Sequence, residues 1–309
     1  MLSLILAAAL MSGPVATPVV LHSEPAPLHG TLLAPPTETR AAALVIAGSG
    51  PTDRDGNSPL GVSASSYRLL AEGLAAHGIA TVRTDKRGIG ESASSLISEA
   101  ELVFTDYADD ARAWAAETAR LTGQSCAWLI GHSEGALIAL TAVAGDDDGT
   151  VCGLVLLSGA GRPIGAVLRE QLATAPEPFL SQATTILSEL EAGRAVDEVP
   201  PQLAALFRPS VQPYMISWLP LDPAEMVAAY DGPVMIGHGT TDIQVGLTDA
   251  RALAVAQPTA TLVVWEGVNH LLKIAPADRT ANAATYANPN LPLAPGVVDD
   301  IAGFILQPR

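Results

Sequence analysis

Five consecutive residues, Gly131-His132-Ser133-Glu134-Gly135, carry the chemistry most directly readable from this chain. They fit the pattern G-x-S-x-G, in which a serine is turned outward at a sharp bend between a strand and a helix. The flanks that the pattern requires are present. An apolar run, Cys126–Ile130, leads in, and a helical stretch from Ala136 to Ala144 leads out. Such a bend strains the backbone at the serine and crowds the chain around it, so the residues two before and two after must lack bulk. A serine there sits at a helix N-terminus, where unpaired N–H groups and the helix dipole favour developing negative charge. The chemistry implied is nucleophilic attack by Ser133 on an acyl carbon.

A serine nucleophile needs a base, and the base needs an orienting acid. Of the six histidines, His22 and His29 precede the expected sheet, and His77 ends a helix just before Gly78. His132 adjoins the serine, where strand alternation points it elsewhere, and His238 ends a strand and packs there. That leaves His270, in Gly267-Val268-Asn269-His270, on a loop after the apolar run Thr261–Trp265, where a mobile imidazole is expected. The acid candidate is Asp242, in Gly239-Thr240-Thr241-Asp242 after Val234–Gly237. Asp249 falls at a helix start and reads as first-turn charge. The order Ser133, Asp242, His270 is the one that accompanies this serine pattern.

These residues have to be positioned by regular elements, and from about residue 40 the chain alternates apolar runs with helical stretches. That is the pattern of an α/β protein with a mostly parallel sheet flanked by helices. The expected strands are Ala43–Ala47, Ile79–Thr84, Ala127–Ile130, Gly153–Leu157, Val234–Gly237 and Thr261–Trp265, apolar enough to be buried on both faces. Ahead of them, Val19–Leu33 reads as an antiparallel entry hairpin. Tyr67, Leu70 and Leu74, and Tyr107, Ala111, Trp114, Thr118 and Leu121, recur at helical spacing and read as core packing. Residues 162–222 break the rhythm with three or four proline-rich helical segments, the signature of a cap inserted before the strand leading to Asp242. Its apolar side chains, among them Leu168, Ile186 and Trp218, suit an apolar acyl group or packing onto the domain. A closing helix is expected from about Val297 to Leu306.

Composition sets the outer bounds. The 309 residues include 16 Lys and Arg against 32 Asp and Glu, a net charge of -16, with 49% hydrophobic and 16% charged residues. This apolar content excludes a disordered chain. The acidity excludes a nucleic-acid binder and electrostatic docking to anionic lipid. The run Asp146-Asp147-Asp148 reads as a solvated loop, and no pair of histidines has metal-ligand spacing, so neither metal nor cofactor is expected. Residues Leu2–Met11 are apolar except for Ser3, too short to span a bilayer and suited to the core of an export signal cut near Ala16. The expectation is a signal at 1–16 and a domain at 17–309, periplasmic or secreted. The alternative is a cytoplasmic protein with an apolar N-terminus. Cys126 and Cys152 each open an expected strand and come within reach of a disulfide if those strands are neighbours; two buried free thiols is the expectation.

With these residues in hand, the chain resembles the α/β-hydrolase superfamily from about Leu28 to the carboxyl end. Within it, it is similar to bacterial serine esterase and peptidase-like hydrolases with a G-S-G-P-x-D-R-D-G signature, here Gly48-Ser49-Gly50-Pro51-Thr52-Asp53-Arg54-Asp55-Gly56. Asp85-Lys86-Arg87-Gly88-Ile89-Gly90-Glu91-Ser92 and Asn269-His270-Leu271-Leu272-Lys273 resemble two further motifs of that group. The resemblance implies an oxyanion hole made by two backbone N–H groups, those of Glu134 and of the Gly48-Ser49 turn. The second is carried to Ser49, with Gly50 as the alternative, because the superfamily's usual histidine before that glycine is Ala47 here. Asp53-Arg54-Asp55 reads as a brace of ion pairs in preference to a substrate site.

The expected activity is serine-dependent cleavage of a small carboxylic ester with an apolar acyl group, without stable membrane insertion. The alternatives are a peptidase or thioesterase with the same three residues, or a catalytically silent binding protein of this fold. Gly88-x-Gly90-x-x-Ala93 imitates a dinucleotide fingerprint but is rejected. Asp85-Lys86-Arg87 separates it from its strand, and no apolar-faced helix follows to receive a pyrophosphate.

Overall fold

The computed structural model describes residues 13–96, 98–144 and 149–308. The chain enters through a hairpin, β1 (Val15–Leu21) and β2 (Leu28–Ala34), longer at both ends than the alternation predicts. Ala16, the expected cleavage point, pairs with Leu33 inside it, while residues 1–12 of the expected signal lie outside the described residues. Then follow β3 (Ala41–Ile46), the short hairpin β4 (Asn57–Ser58) and β5 (Val62–Ser63), α1 (Ser66–Ala76), β6 (Ile79–Thr84), α2 (Phe104–Thr122), β7 (Ala127–His132), α3 (Glu134–Val143) and β8 (Val151–Leu157). After the cap come β9 (Val234–Gly239), α9 (Leu247–Ala256), β10 (Thr261–Trp265), α10 (Arg279–Ala284) and α11 (Val297–Ile305).

Eight strands form one sheet in the order β1-β2-β6-β3-β7-β8-β9-β10. Only β1–β2 and β2–β6 are antiparallel; the remaining pairs are parallel. This is the α/β-hydrolase arrangement, and it places β7 near the centre. Alternate side chains feed two cores. Leu44, Ile46, Leu129 and Leu154 pack on one face with α2, α3 and the cap, and Val45, Trp128, Ile130 and Val155 pack on the other with α1 and α11. The reading of strands covered on both faces fails at β10. As the sheet's edge it leaves Leu262 and Val264 36% and 43% exposed.

Between β8 and β9 lies the cap: α4 (Ile164–Leu172), α5 (Phe179–Glu191), α6 (Ala204–Phe207), α7 (Gln212–Trp218) and α8 (Pro223–Ala228). It has five α-helices, more than the sequence pattern predicts, and runs past residue 222. Asp222 starts one more helix by accepting the N–H groups of Ala224 and Glu225. Asp249 is more than first-turn charge. Fully buried, it accepts Gly161 N–H at 3.0 Å and the Arg162 guanidinium at 2.9 and 2.6 Å, anchoring the chain where the cap departs. Cys126 and Cys152 form a disulfide with Cα atoms 5.3 Å apart, which overturns the expectation of free thiols. Parallel neighbours β7 and β8 begin side by side, so the spacing of adjacent strands meets disulfide geometry without backbone movement. The run Asp146-Asp147-Asp148 lies outside the described residues. No helix among the described residues is long and apolar enough to cross a membrane.

Candidate active site

Every candidate residue lies at the carboxyl end of a parallel strand. Gly48-Ser49 follows β3, Asp85-Lys86 follows β6, Ser133 follows β7, Asp242 follows β9 and His270 follows β10. In open α/β sheets that edge is where ligands bind.

Ser133 has φ 56° and ψ -121°, a conformation that costs a non-glycine residue about 1–3 kcal/mol. The turn persists because its surroundings enforce it. A Cβ at Gly131 would collide with the Gly135 carbonyl, and one at Gly135 with the Ile46 carbonyl of the neighbouring strand. Ser133 N–H also donates to Leu157 of β8 at 2.8 Å. Glycine at both flanks is therefore a packing requirement, as the motif's spacing implies.

The structure joins Asp242 and His270. His270 Nδ1 lies 2.7 Å from Asp242 Oδ2, and Asp242 Oδ1 accepts the N–H groups of Gln244 and Val245 at 2.8 and 3.0 Å. Burial opposes charge on Asp242, but His270, the Val245 N–H and the nearby His238 outweigh it and pull its pKa down to about 2. An ionised carboxylate accepts from Nδ1, so the proton sits there and Nε2 of neutral His270 is free to act as a base. Ser133 and His270 line one cavity of about 250 Å³, with Gly50, Leu60, Val62 and Gln244. Ser49, Ser133 and Glu134 line another of about 220 Å³ under the cap, among Leu137, Val167, Leu168, Met215 and Trp218.

The base loop is tied down by hydrogen bonds along its length. His270 is 3% exposed. Asn269 Oδ1 accepts the N–H groups of Leu271 and Lys273, and its Nδ2 donates to Thr285 Oγ1 at 2.9 Å. Ser66 Oγ donates to the Leu271 carbonyl at 2.7 Å, and Ala294 N–H to that of Leu272.

Two side chains that the sequence reading set aside complete the support. His132 lines the same cavity as Ser133 and His270, its Nε2 is 2.7 Å from the His270 carbonyl and its Nδ1 is 2.8 Å from Tyr67 Oη. A carbonyl only accepts, so Nε2 carries the proton, Nδ1 accepts a hydrogen bond from the Tyr67 hydroxyl, and Tyr67 Oη accepts Gly48 N–H at 3.0 Å. Burial, then the neighbouring His270, lower the His132 pKa to about 3, so the chain of bonds stays intact at neutral pH. Tyr67 is thus more than core packing. Helical spacing gave its burial, but nothing local marks where its hydroxyl ends.

Among the described residues, neither Ser49 N–H nor Glu134 N–H has a hydrogen-bond acceptor. Ser49 borders both cavities alongside Ser133, whereas Gly50 borders only the one that His270 lines. Asp53-Arg54-Asp55 is a brace. Arg54 grips Asp85 through its N–H and guanidinium at 2.9 and 2.6 Å, Asp53 accepts the N–H groups of Asp55 and Asn57, and Asp55 pairs with Arg83. The described residues contain no group of three His, Cys, Asp or Glu side chains able to hold a metal ion.

Comparison with known proteins bears on the family and the fold. A family model described as Hydrolase_4, serine aminopeptidase S33, matches residues 60–285, beginning after the Gly48–Gly56 segment. No curated protein matches. Among solved structures, Est1E from Butyrivibrio proteoclasticus is similar at 18% identity and a TM-score of 0.58, covering 96% of this chain and 100% of that one. Est1E with ferulic acid bound gives 16% identity and a TM-score of 0.60, over 93% and 96% of the two chains. A thermophilic esterase from Thermogutta terrifontis gives 18% identity and a TM-score of 0.53, over 82% and 92%.

Proposed function

Because the chain belongs to the Hydrolase_4, serine aminopeptidase S33, family of α/β-hydrolases, we propose that it is a serine hydrolase cleaving small carboxylic esters. The observation that carries this reading is that Ser133, in its strained turn, borders one cavity with a histidine already paired to a buried carboxylate. In this reading Ser133 attacks the ester carbonyl while His270 takes its proton. Asp242 holds the imidazole in the required tautomer and steadies the imidazolium. The tetrahedral oxyanion rests on Ser49 N–H and Glu134 N–H. His270 then protonates the leaving alcohol, and water repeats the sequence on the acyl-enzyme.

Proton delivery orients the substrate. The leaving oxygen must approach His270, so the leaving group takes the cavity that His270 lines and the acyl group takes the apolar cavity under the cap. A cavity of roughly 150 Å³ accepts benzene, so chambers of about 220 and 250 Å³ suit short acyl chains or a single aromatic ring. The ferulic acid bound to Est1E is a carboxylic acid with one aromatic ring. An aminopeptidase needs a carboxylate to receive the substrate's ammonium. The only one among the described residues lining these two cavities is Glu134, already bonded by Lys86. This favours esters over amino-terminal peptides. The disulfide supports action in an oxidising compartment, consistent with export.

A fluorophosphonate probe should label the wild type, and Ser133→Ala should abolish labelling and p-nitrophenyl butyrate hydrolysis together. An unlabelled wild type with no esterase activity overturns the reading. Faster turnover of aminoacyl p-nitroanilides than of esters favours the peptidase alternative.

A further inference from the structure

We propose that Lys86 is a positioning residue for the oxyanion hole, fixing and polarising the Ser49 donor and neutralising the carboxylate beside the Glu134 donor; the proposal rests on the serine hydrolase reading above. Lys86 leaves β6 pointing inward, with its side chain 7% exposed. Its Nζ donates to the Gly48 carbonyl at 2.6 Å and to Glu134 Oε2 at 3.0 Å, and lies 4.9 Å from the centre of the Tyr107 ring.

The first bond acts on Ser49. The Gly48 carbonyl and Ser49 N–H are opposite ends of one planar trans peptide, so holding the oxygen fixes the direction of the N–H. A peptide unit in a loop would otherwise lose its aim by rotating about its flanking bonds. A cation on the carbonyl also draws density from the amide and makes its N–H a stronger donor. Tyr67 holds the preceding peptide through Gly48 N–H, so the turn is gripped on both sides of Gly48.

The second bond acts on Glu134, whose own N–H is the other donor. Its carboxylate is held by Lys86 on one oxygen and by the Tyr214 hydroxyl, from the cap, at 2.5 Å on the other. Left alone, a buried carboxylate so near Ser133 would repel the developing oxyanion, and Lys86 cancels it. Stability is a poor reason for such a pair, since replacing a buried ion pair by apolar residues is often neutral or stabilising. Its position between the two donors supplies a functional reason.

The test compares wild type with Lys86→Met, with rates normalised to active sites titrated by the fluorophosphonate. For p-nitrophenyl butyrate, kcat should fall about 10–100-fold while KM stays within about threefold. Affinity for a trifluoromethyl ketone, which becomes an oxyanion on the serine, should fall by the same factor as kcat. Affinity for the matching methyl ketone should not change, and Lys86→Arg should recover much of the loss. Should the single variant not fold, the double variant Lys86→Met/Glu134→Gln, which leaves no unpaired buried charge, carries the same measurements. Unchanged kcat and trifluoromethyl ketone affinity in an active enzyme overturn the role of Lys86 alone, as does equal loss for both ketones. An unlabelled wild type overturns the hydrolase reading, and this proposal with it.

Discussion

The turn that presents Ser133 and the loop that presents His270 are held in place by different physics. At Ser133 the restraint is steric: backbone crowds backbone, and glycine is required at 131 and 135 because no Cβ fits. At His270 the restraint is a mesh of hydrogen bonds from Asn269, Asp242, His132 and Ser66, drawn from four separate parts of the chain. Steric restraint is local and is written in adjacent residues. Hydrogen-bonded restraint is assembled by the fold, and it can be removed one bond at a time.

The largest expected effect tests the histidine side. Asp242→Asn keeps the shape and leaves an oxygen for the N–H groups of Gln244 and Val245, but it turns an amide N–H toward His270 Nδ1. That forces the wrong tautomer, and kcat should drop about 10⁴-fold with the melting temperature little changed. A loss below about tenfold would mean that Asp242 does not orient the base.

Next in size is a pair of alanines, one on each side of the comparison. Gly135→Ala places a Cβ against the Ile46 and Ala47 carbonyls, which are backbone and cannot step aside. It should cost about 4 kcal/mol or more in urea unfolding, or prevent soluble expression. Gly267→Ala, at the start of the histidine loop, meets open space and has only its φ of 69° to strain it. It should cost about 1–2 kcal/mol. Equal costs would show that sterics do not separate the two turns.

The same division decides what the sequence discloses. The serine turn is legible because strand, glycines, serine and helix are contiguous, and the bounds of β6 and β10 are those expected from the sequence. The identities of His270 and Asp242 are legible from their order after two strands. What holds them is not, because the bonds are long-range. Tyr67 and His132 are 65 residues apart, His132 and His270 are 138, and Ser66 and Leu271 are 205. A tyrosine on an apolar helix stripe reads as core whether or not its hydroxyl reaches a loop amide. Asp249 and Lys86 are obscured in the same way, since helix-start and motif context explain each without revealing its partner. The cysteines turned on one residual ambiguity: adjacent strands permit a disulfide but do not require one.

The smallest predicted effect separates the two supports by pH. Steric restraint at the serine turn is indifferent to protons, whereas the Tyr67 hydroxyl's bond to His132 Nδ1 needs a neutral His132, because a protonated Nδ1 no longer accepts. Burial and the nearby His270 lower its folded pKa from 6.5 to about 3. Between those values the unfolded chain binds a proton that the folded chain excludes. The stabilisation is therefore complete above pH 6.5 and is lost as pH falls toward 3, at no more than about 1.4 kcal/mol per pH unit. From pH 6.5 to 5 the loss from this group should approach about 2 kcal/mol. His132→Gln has no titrating group, so its unfolding free energy in urea should fall less between pH 7 and pH 5, by about that amount. His238, whose pKa burial also lowers, contributes to both proteins and cancels in the difference. Identical pH slopes would mean that acid does not act on the histidine side through His132, and the proposed contrast between the two supports would lose its proton-sensitive half.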